Sequence, residues 1–145
     1  MNNYKTMPVY EVPNQQNKEN VDRAMKNSHV GNTGTIDAKY AAAEREFKQG
    51  NKEAGERYIK EGRAEAERAH KEIGKAASEY DKKYEECYNK YKETGQIEDL
   101  KESQKYEKMR DDIMSRHEKI DKSQEAHEKN MEAKRSQTEN VSKSR

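Results

Sequence analysis

The chain holds no tryptophan, one phenylalanine (Phe47), two prolines (Pro8 and Pro13) and one cysteine (Cys87) among its 145 residues. Each scarcity excludes something. A single cysteine forbids an internal disulfide and any cysteine-based metal site, which fits a reducing, cytoplasmic setting. Cys87 is expected to pack as a small helix residue, with an intermolecular disulfide or reactive thiol as the alternative. Apolar residues make up only 29% of the chain, against nearly half in an ordinary globule, so no thick core can be wrapped. No apolar run approaches the roughly 18 residues that a bilayer-spanning helix needs. Met1-Asn2-Asn3-Tyr4-Lys5 lacks the apolar centre of a signal peptide. A membrane role is therefore not expected.

Charge is what the chain has in abundance. Charged residues supply 41% of it, yet 30 basic and 29 acidic side chains leave a net charge of only +1. Disordered chains combine low hydrophobicity with a large net charge, whereas interleaved signs suit the solvated face of long helices. Near-neutrality also weighs against nucleic acid or an anionic membrane surface as a partner, since both attract a basic face.

Residues 1–35 differ from the rest, being rich in Asn and carrying Gly31 and Gly34. Pro8 and Pro13 bracket Val9-Tyr10-Glu11-Val12, a β-like tetrapeptide with no partner strand. A flexible, disordered arm is expected, with Tyr10 and Val12 as anchors of a short docking motif. Within it, Asn20 can cap one or two helical turns that place Val21 and Met25 on one face.

Helical grammar begins near Thr35, read as an N-cap. Ile36, Tyr40, Ala43 and Phe47 then fall on one face, and Gly50-Asn51 stops the helix. The first helix is expected over 36–49. The second, over 52–93, carries the stripe Tyr58, Gly62, Ala66, Ala69, Ile73, Ala76, Tyr80, Tyr84, Cys87 and Tyr91. Its mean spacing of about 3.7 predicts a nearly straight rod of roughly 60 Å rather than a two-stranded supercoil. Pairs such as Glu67→Lys71 and Glu79→Lys83 support its exposed face by about 0.2–0.5 kcal/mol each. Gly55, Gly62 and Gly74 oppose it by about 1 kcal/mol each, which suggests a large neighbour close by. Thr94-Gly95 closes this rod. A third helix over 96–128 shows Ile97, Leu100, Tyr106, Met109, Ile113 and Ile120 on one face. Beyond it, residues 131–145 read as a disordered polar tail.

Short turns make sequential helices antiparallel. About Gly50, Phe47 then meets Gly55 and Tyr40 meets Gly62, large against small. About Gly95, Met109 falls near Tyr80 and Tyr84, Ile120 near Ala69, and His117 near Ile73 and His70. The fold class expected is all-α: an elongated antiparallel three-helix, coiled-coil-like hairpin over 36–130. Phe47-x-x-Gly50-x-x-x-Ala54-x-x-x-Tyr58 resembles the helical hairpin of a tetratricopeptide repeat. That family repeats every 34 or so residues. The same step from Phe47 and Gly50 lands on Asp81 and Tyr84, so the stretch is taken as a generic hairpin and no family function is carried over.

Chemistry is sparse. His29, His70, His117 and His127 include no helical i, i+3 or i+4 pair, so neither a metal nor a cofactor is expected. No serine sits in a nucleophile elbow, and Gly31-x-x-Gly34 lacks the lysine of a phosphate loop. No catalytic residue is expected either. The most distinctive feature is tyrosine. Tyr80, Tyr84, Tyr88 and Tyr91 recur along the second helix with Tyr106 across the turn, serving either as core or as an aromatic interface. The function expected is a non-enzymatic protein–protein interaction module, acting on a protein partner or on itself. The alternative is nucleic-acid binding through this tyrosine-rich tip and the basic residues 129–145.

Overall fold

The computed structural model describes the backbone of residues 29–144, with side chains to Thr138. The tetrapeptide anchors Tyr10 and Val12, and the rest of the expected arm before His29, lie outside the described residues. Within them the chain forms three helices and no strand: α1 (Gly34–Lys48), α2 (Lys52–Thr94) and α3 (Ile97–Ser144). At about 1.5 Å per residue, the 43 residues of α2 make a rod of about 65 Å.

Each boundary has a local cause. α1 starts one residue before the expected cap. Thr33 precedes the helix but donates its hydroxyl to Asp37 (3.1 Å), and Asn32 Oδ1 accepts the first helical amide, that of Gly34, at 2.6 Å. Gly50, at φ 83°, makes the reversal into α2, and Gly95, at φ 71°, closes α2 with its amide on Tyr91 O at 2.7 Å. Left-handed backbone of this kind suits glycine because no Cβ is present to clash. Thr94 Oγ1 donates to Asp99 in the first turn of α3 at 2.9 Å, bracing the second reversal.

The register follows from pairs of side chains. Across α2 and α3, Glu56 meets Arg135, Arg63 meets Glu128, His70 meets His117, and Asp81 meets Arg110, so the helices run antiparallel. Asp37 with Ser123, Glu44 with Asn130 and Phe47 O with Thr138 set α1 parallel to α3. Large opposes small where α1 meets α2. A Cβ on Gly55 would stand 2.7 Å from the Phe47 ring, and one on Gly62 would stand 3.0 Å from Tyr40 Cε2. Gly74 differs, because nothing lies within 4 Å of its missing Cβ. Its cost to the helix has no packing counterpart here.

The buried seam of α2 is Gly55, Ile59, Gly62, Ala66, Ala69, Ile73, Ala76 and Tyr80, with Ala77 beside it. Its spacings alternate strictly between four and three, the seven-residue repeat of coiled-coil packing, rather than the longer period expected. One exchange explains most of the difference. Ile59, not Tyr58, is the buried residue at that turn. Tyr58 sits at the edge, with Lys39 Nζ 5.9 Å and Arg57 Cζ 5.3 Å from its ring centre. A four-residue step from Tyr80 to Tyr84 then shifts the stripe only near the tip.

α3 runs well past the expected end near residue 128 and through most of the expected polar tail. Met131 is 1% exposed and Thr138 7%. The seam here is built from polar groups, which is why it does not read as apolar. Thr138 Oγ1 lies 3.1 Å from Phe47 O, which also accepts the Gly50 amide at 3.0 Å, and 2.9 Å from Lys134 O in its own helix, so its one proton is shared between the two carbonyls. At the other end of α3, Ile97 was expected on the apolar face but is 50% exposed, where no third helix lies among the described residues.

Candidate interaction surface

The five tyrosines of the hairpin divide into two groups. Tyr80 and Tyr106 are core residues, 6% and 7% exposed, with ring centres 6.3 Å apart. They are not surface. Tyr84, Tyr88 and Tyr91 lie nearer the tip and remain partly or largely open. Tyr84 and Tyr88 stack at 5.9 Å with 12° between planes, and Tyr91 follows at 6.2 Å, tilted by 40°. Tyr88 is 37% exposed. Lys92 Nζ stands 5.3 Å from the Tyr88 ring and Arg110 Cζ 5.5 Å from that of Tyr84. With Ile97 across the turn, these rings make an aromatic rim with cations above it.

Cys87 lies on the same stretch, half-buried. Burial, with the carboxylates of Glu102, Asp99 and Glu86 nearby, pushes its thiol up. A protonated thiol is a poor nucleophile, so the packing role expected of Cys87 suits its surroundings.

Two polar clusters cross the helices away from the tip; sequence spacing showed no sign of the first, while the antiparallel register had already brought together the histidines of the second. In the first, Arg63 grips Glu128 with two hydrogen bonds, at 2.6 and 2.9 Å, while the Tyr40 hydroxyl donates to the same carboxylate. Arg63 is the main reason that Glu128 titrates below the ordinary glutamate value. Burial, and then donation to Glu128, push the Tyr40 phenol up to about 12. Beside it, Asp37 accepts from Ser123 at 3.0 Å and from His127 Nε2 at 2.7 Å. Burial works against ionisation of Asp37, but the bonds from His127, Ser123 and Thr33 outweigh it and hold the carboxyl low. The His127 ring lies 4.8 Å over Tyr40, nearly parallel at 7°.

The second cluster is the histidine pair that the antiparallel register brings together. His70 Nδ1 lies 2.6 Å from His117 Nδ1, and His70 Nε2 lies 2.9 Å from Asp121 Oδ1. The ring centres are 4.8 Å apart with 22° between planes. That separation is close to the nitrogen–nitrogen distance plus both ring radii, so the rings meet edge to edge and not face to face. A carboxylate only accepts, so Asp121 assigns the His70 proton to Nε2. With both rings neutral, His70 Nδ1 then accepts from the N–H of His117 Nδ1. Asp121, His70 and His117 thus form one directed chain that fixes both tautomers.

Among the described residues, no group of three or more His, Cys, Asp or Glu side chains is arranged to hold a metal ion. Two surface depressions of about 440 and 490 Å³ have charged walls, with Glu128 and Arg135 in one and Glu65 and Arg68 in the other. Small-molecule sites are usually mostly apolar, and these are not. Among the described residues no helix is long and apolar enough to cross a membrane. No family model, curated protein or solved structure matches the chain.

Proposed function

We propose that this chain is a non-enzymatic helical interaction module that docks a protein partner on the tip of its hairpin. The observation that carries this reading is the contrast along α2. Tyr80 is buried, while Tyr84, Tyr88 and Tyr91, one to three turns further on, keep their rings open beside the exposed Ile97. Tyrosine offers a large rigid contact at little cost in side-chain entropy, and interface hot spots are enriched in it. The adjoining Lys92 and Arg110 add polar rim contacts. A second copy of the chain is a close variant of the same reading, because a thin core gains from covering open apolar surface.

The test compares the full chain with a Tyr88→Ala, Ile97→Ser variant as bait in an extract of the native host. The expected result is a protein captured by the unmodified chain and lost with the variant, at unchanged helical circular dichroism. Identical capture by both would overturn the assignment to the tip. Sedimentation equilibrium over a concentration series reads the self-association variant, which a strict monomer at high concentration removes.

Nucleic acid is the second reading, favoured by the cations over the Tyr84 and Tyr88 rings. Stacked rings beside cations suit unpaired bases. Affinity for a single-stranded oligonucleotide that falls steeply with added salt supports it, and no measurable binding at low salt removes it.

A further inference from the structure

Two of the contacts that α3 makes with its neighbours run through histidine, and they differ in what faces the ring. His127 Nε2 meets the Asp37 carboxylate of α1 at 2.7 Å. A carboxylate accepts from the ring whether the imidazole is neutral or charged, so an added proton leaves this bond in place. His117 instead meets a second imidazole, that of His70 on α2, at 2.6 Å. There one of the facing nitrogens must stay bare. The 4.8 Å between ring centres puts the centres and the two Nδ1 atoms nearly in line. Two metal–nitrogen bonds of about 2 Å set end to end would need about 4 Å, so the cation that fits this gap is a proton.

Counting protons shows what the pair can bear. One added proton goes to His117 Nε2, and the proton between the two Nδ1 atoms can then sit on either ring. Asp121, 2.9 Å from His70 Nε2, favours the positive charge on His70. The contact survives in both forms. A second added proton has only the facing nitrogen left bare to go to. Each ring then donates at both nitrogens, and two like-charged N–H groups face each other. Turning either ring over brings a C–H into the gap and not an acceptor. The surroundings do not offset this. On α2, Ala66, Ile73 and Gly74 flank His70 without charge, and Glu67 is tied to Lys71 at 3.4 Å. On α3, Ile113, Met114 and Ile120 flank His117 without charge. Arg116 is turned to Val30 O at 2.7 Å and to Asp112 at 3.1 Å. The first turn of α1 contributes Ile36, uncharged, and Asp37, already held by His127 and Ser123.

We propose that the His70–His117 contact is an acid-released clasp: the second added proton parts α2 from α3 at the middle of the rod, while the contact of α3 with α1 through His127 and Asp37 persists. The closed clasp takes one proton beyond the neutral pair, whereas the open pair takes two. Stability rises with pH wherever the open form binds more protons. The clasp is therefore fully present at neutral pH and is lost as pH falls below the ordinary histidine value of about 6.5. The stretch it closes carries Ile73, Ile113 and Ile120, all buried, and lies between the end that holds α1 and the tyrosine rim.

Amide exchange in the full chain, corrected for the intrinsic pH dependence of exchange, tests this at pH about 7.5 and about 5, on either side of the ordinary histidine value. Glu128 and Asp37 titrate below 4.5 and 3.8 and stay ionised at both. Protection over 66–77 and 113–121 is expected to fall at least about tenfold at the lower pH, while 36–47 holds its protection. His70→Gln supplies the control, because its side-chain amide donates to Asp121 and accepts from His117 yet takes no proton. Its protection over the same residues is expected to be equal at the two pH values. Equal protection in the unmodified chain, or the same fall in His70→Gln, overturns the proposal. Ring nitrogen-15 shifts of the unmodified chain give a reading that needs no variant. At the higher pH His70 is expected with its proton on Nε2 and His117 with its proton on Nδ1. The same tautomer in both rings also overturns the proposal.

Discussion

At the residue scale, three glycines on one helix are expected to behave in opposite ways. Gly74→Ala meets open space, so it is expected to stabilise the chain by about 1 kcal/mol through helix propensity alone. Gly55→Ala drives a methyl into the Phe47 ring, which is 3% exposed and has little room to move. It is expected to destabilise by about 1–3 kcal/mol, the usual cost of overpacking. Gly62→Ala, against the Tyr40 ring, is expected to fall between the two. Urea midpoints for the three variants check the order. The register about Gly50 already paired Gly55 with Phe47 and Gly62 with Tyr40, but it offered Gly74 no partner, because a glycine's cost to the helix is local while its reason lies on the helix opposite.

The Tyr40 cluster makes a pH prediction with two limbs. Glu128 and Asp37 titrate below their ordinary values of 4.5 and 3.8. Their contribution is therefore fully present above those values and is lost as pH falls through the lower, folded ones. Tyr40 titrates above its ordinary value of 10, at about 12, so its contribution is fully present below 10 and is lost as pH rises towards 12. Glu128→Gln is expected to flatten the acid limb of a melting-temperature profile. Tyr40→Phe is expected to remove a phenolate that appears near pH 12 in a spectrophotometric titration. An acid limb unchanged by Glu128→Gln, or a phenolate titration unchanged by Tyr40→Phe, would contradict these assignments.

At the scale of elements, α1 and α2 were largely legible, and α3 was legible as far as Ile120, with Ile97 misplaced at its start. The apolar face of α1, Ile36, Tyr40, Ala43 and Phe47, is the buried set found in the structure. In α2 one turn was misassigned, because Tyr58 and Ile59 both fit a helical spacing from Gly62. Burial chose the residue without a hydroxyl to keep wet. The second half of α3 could not be read from apolar periodicity. Ser123, His127 and Glu128 hold it to α1 and α2 through polar contacts whose partners lie far away in sequence. A stretch that pairs polar with polar looks like solvated helix, or like a tail, until its partners are known. The expected consequence is that Met131, buried among these groups, is structural. Met131→Ala is expected to cost about 2–4 kcal/mol, within the range of large-to-small core changes, read from the denaturation midpoint.

At the scale of the whole molecule, the chain is a rod with two different ends. Among the described residues, three helices share the end that holds α1, while α2 and α3 continue as a pair to the reversal at Gly95. This architecture was legible because two glycine turns and a large-against-small seam leave few ways to fold three amphipathic rods. The division of the tyrosines into core and rim was not legible. It depends on how far along the hairpin cover extends, and no spacing within α2 encodes that. The difference between the ends is what leaves Tyr84, Tyr88, Tyr91 and Ile97 open to a partner.

Residue-resolved amide hydrogen exchange in the native chain measures that difference most directly. Slow exchange is expected along α1 and over 55–73 of α2 and 113–138 of α3, where three helices pack together. Exchange is expected to be at least about tenfold faster over 84–105, where only α2 and α3 pack together among the described residues. Protection that is uniform along the rod, or highest at the Gly95 end, would contradict the account and remove the open tyrosine tip on which the proposed function depends.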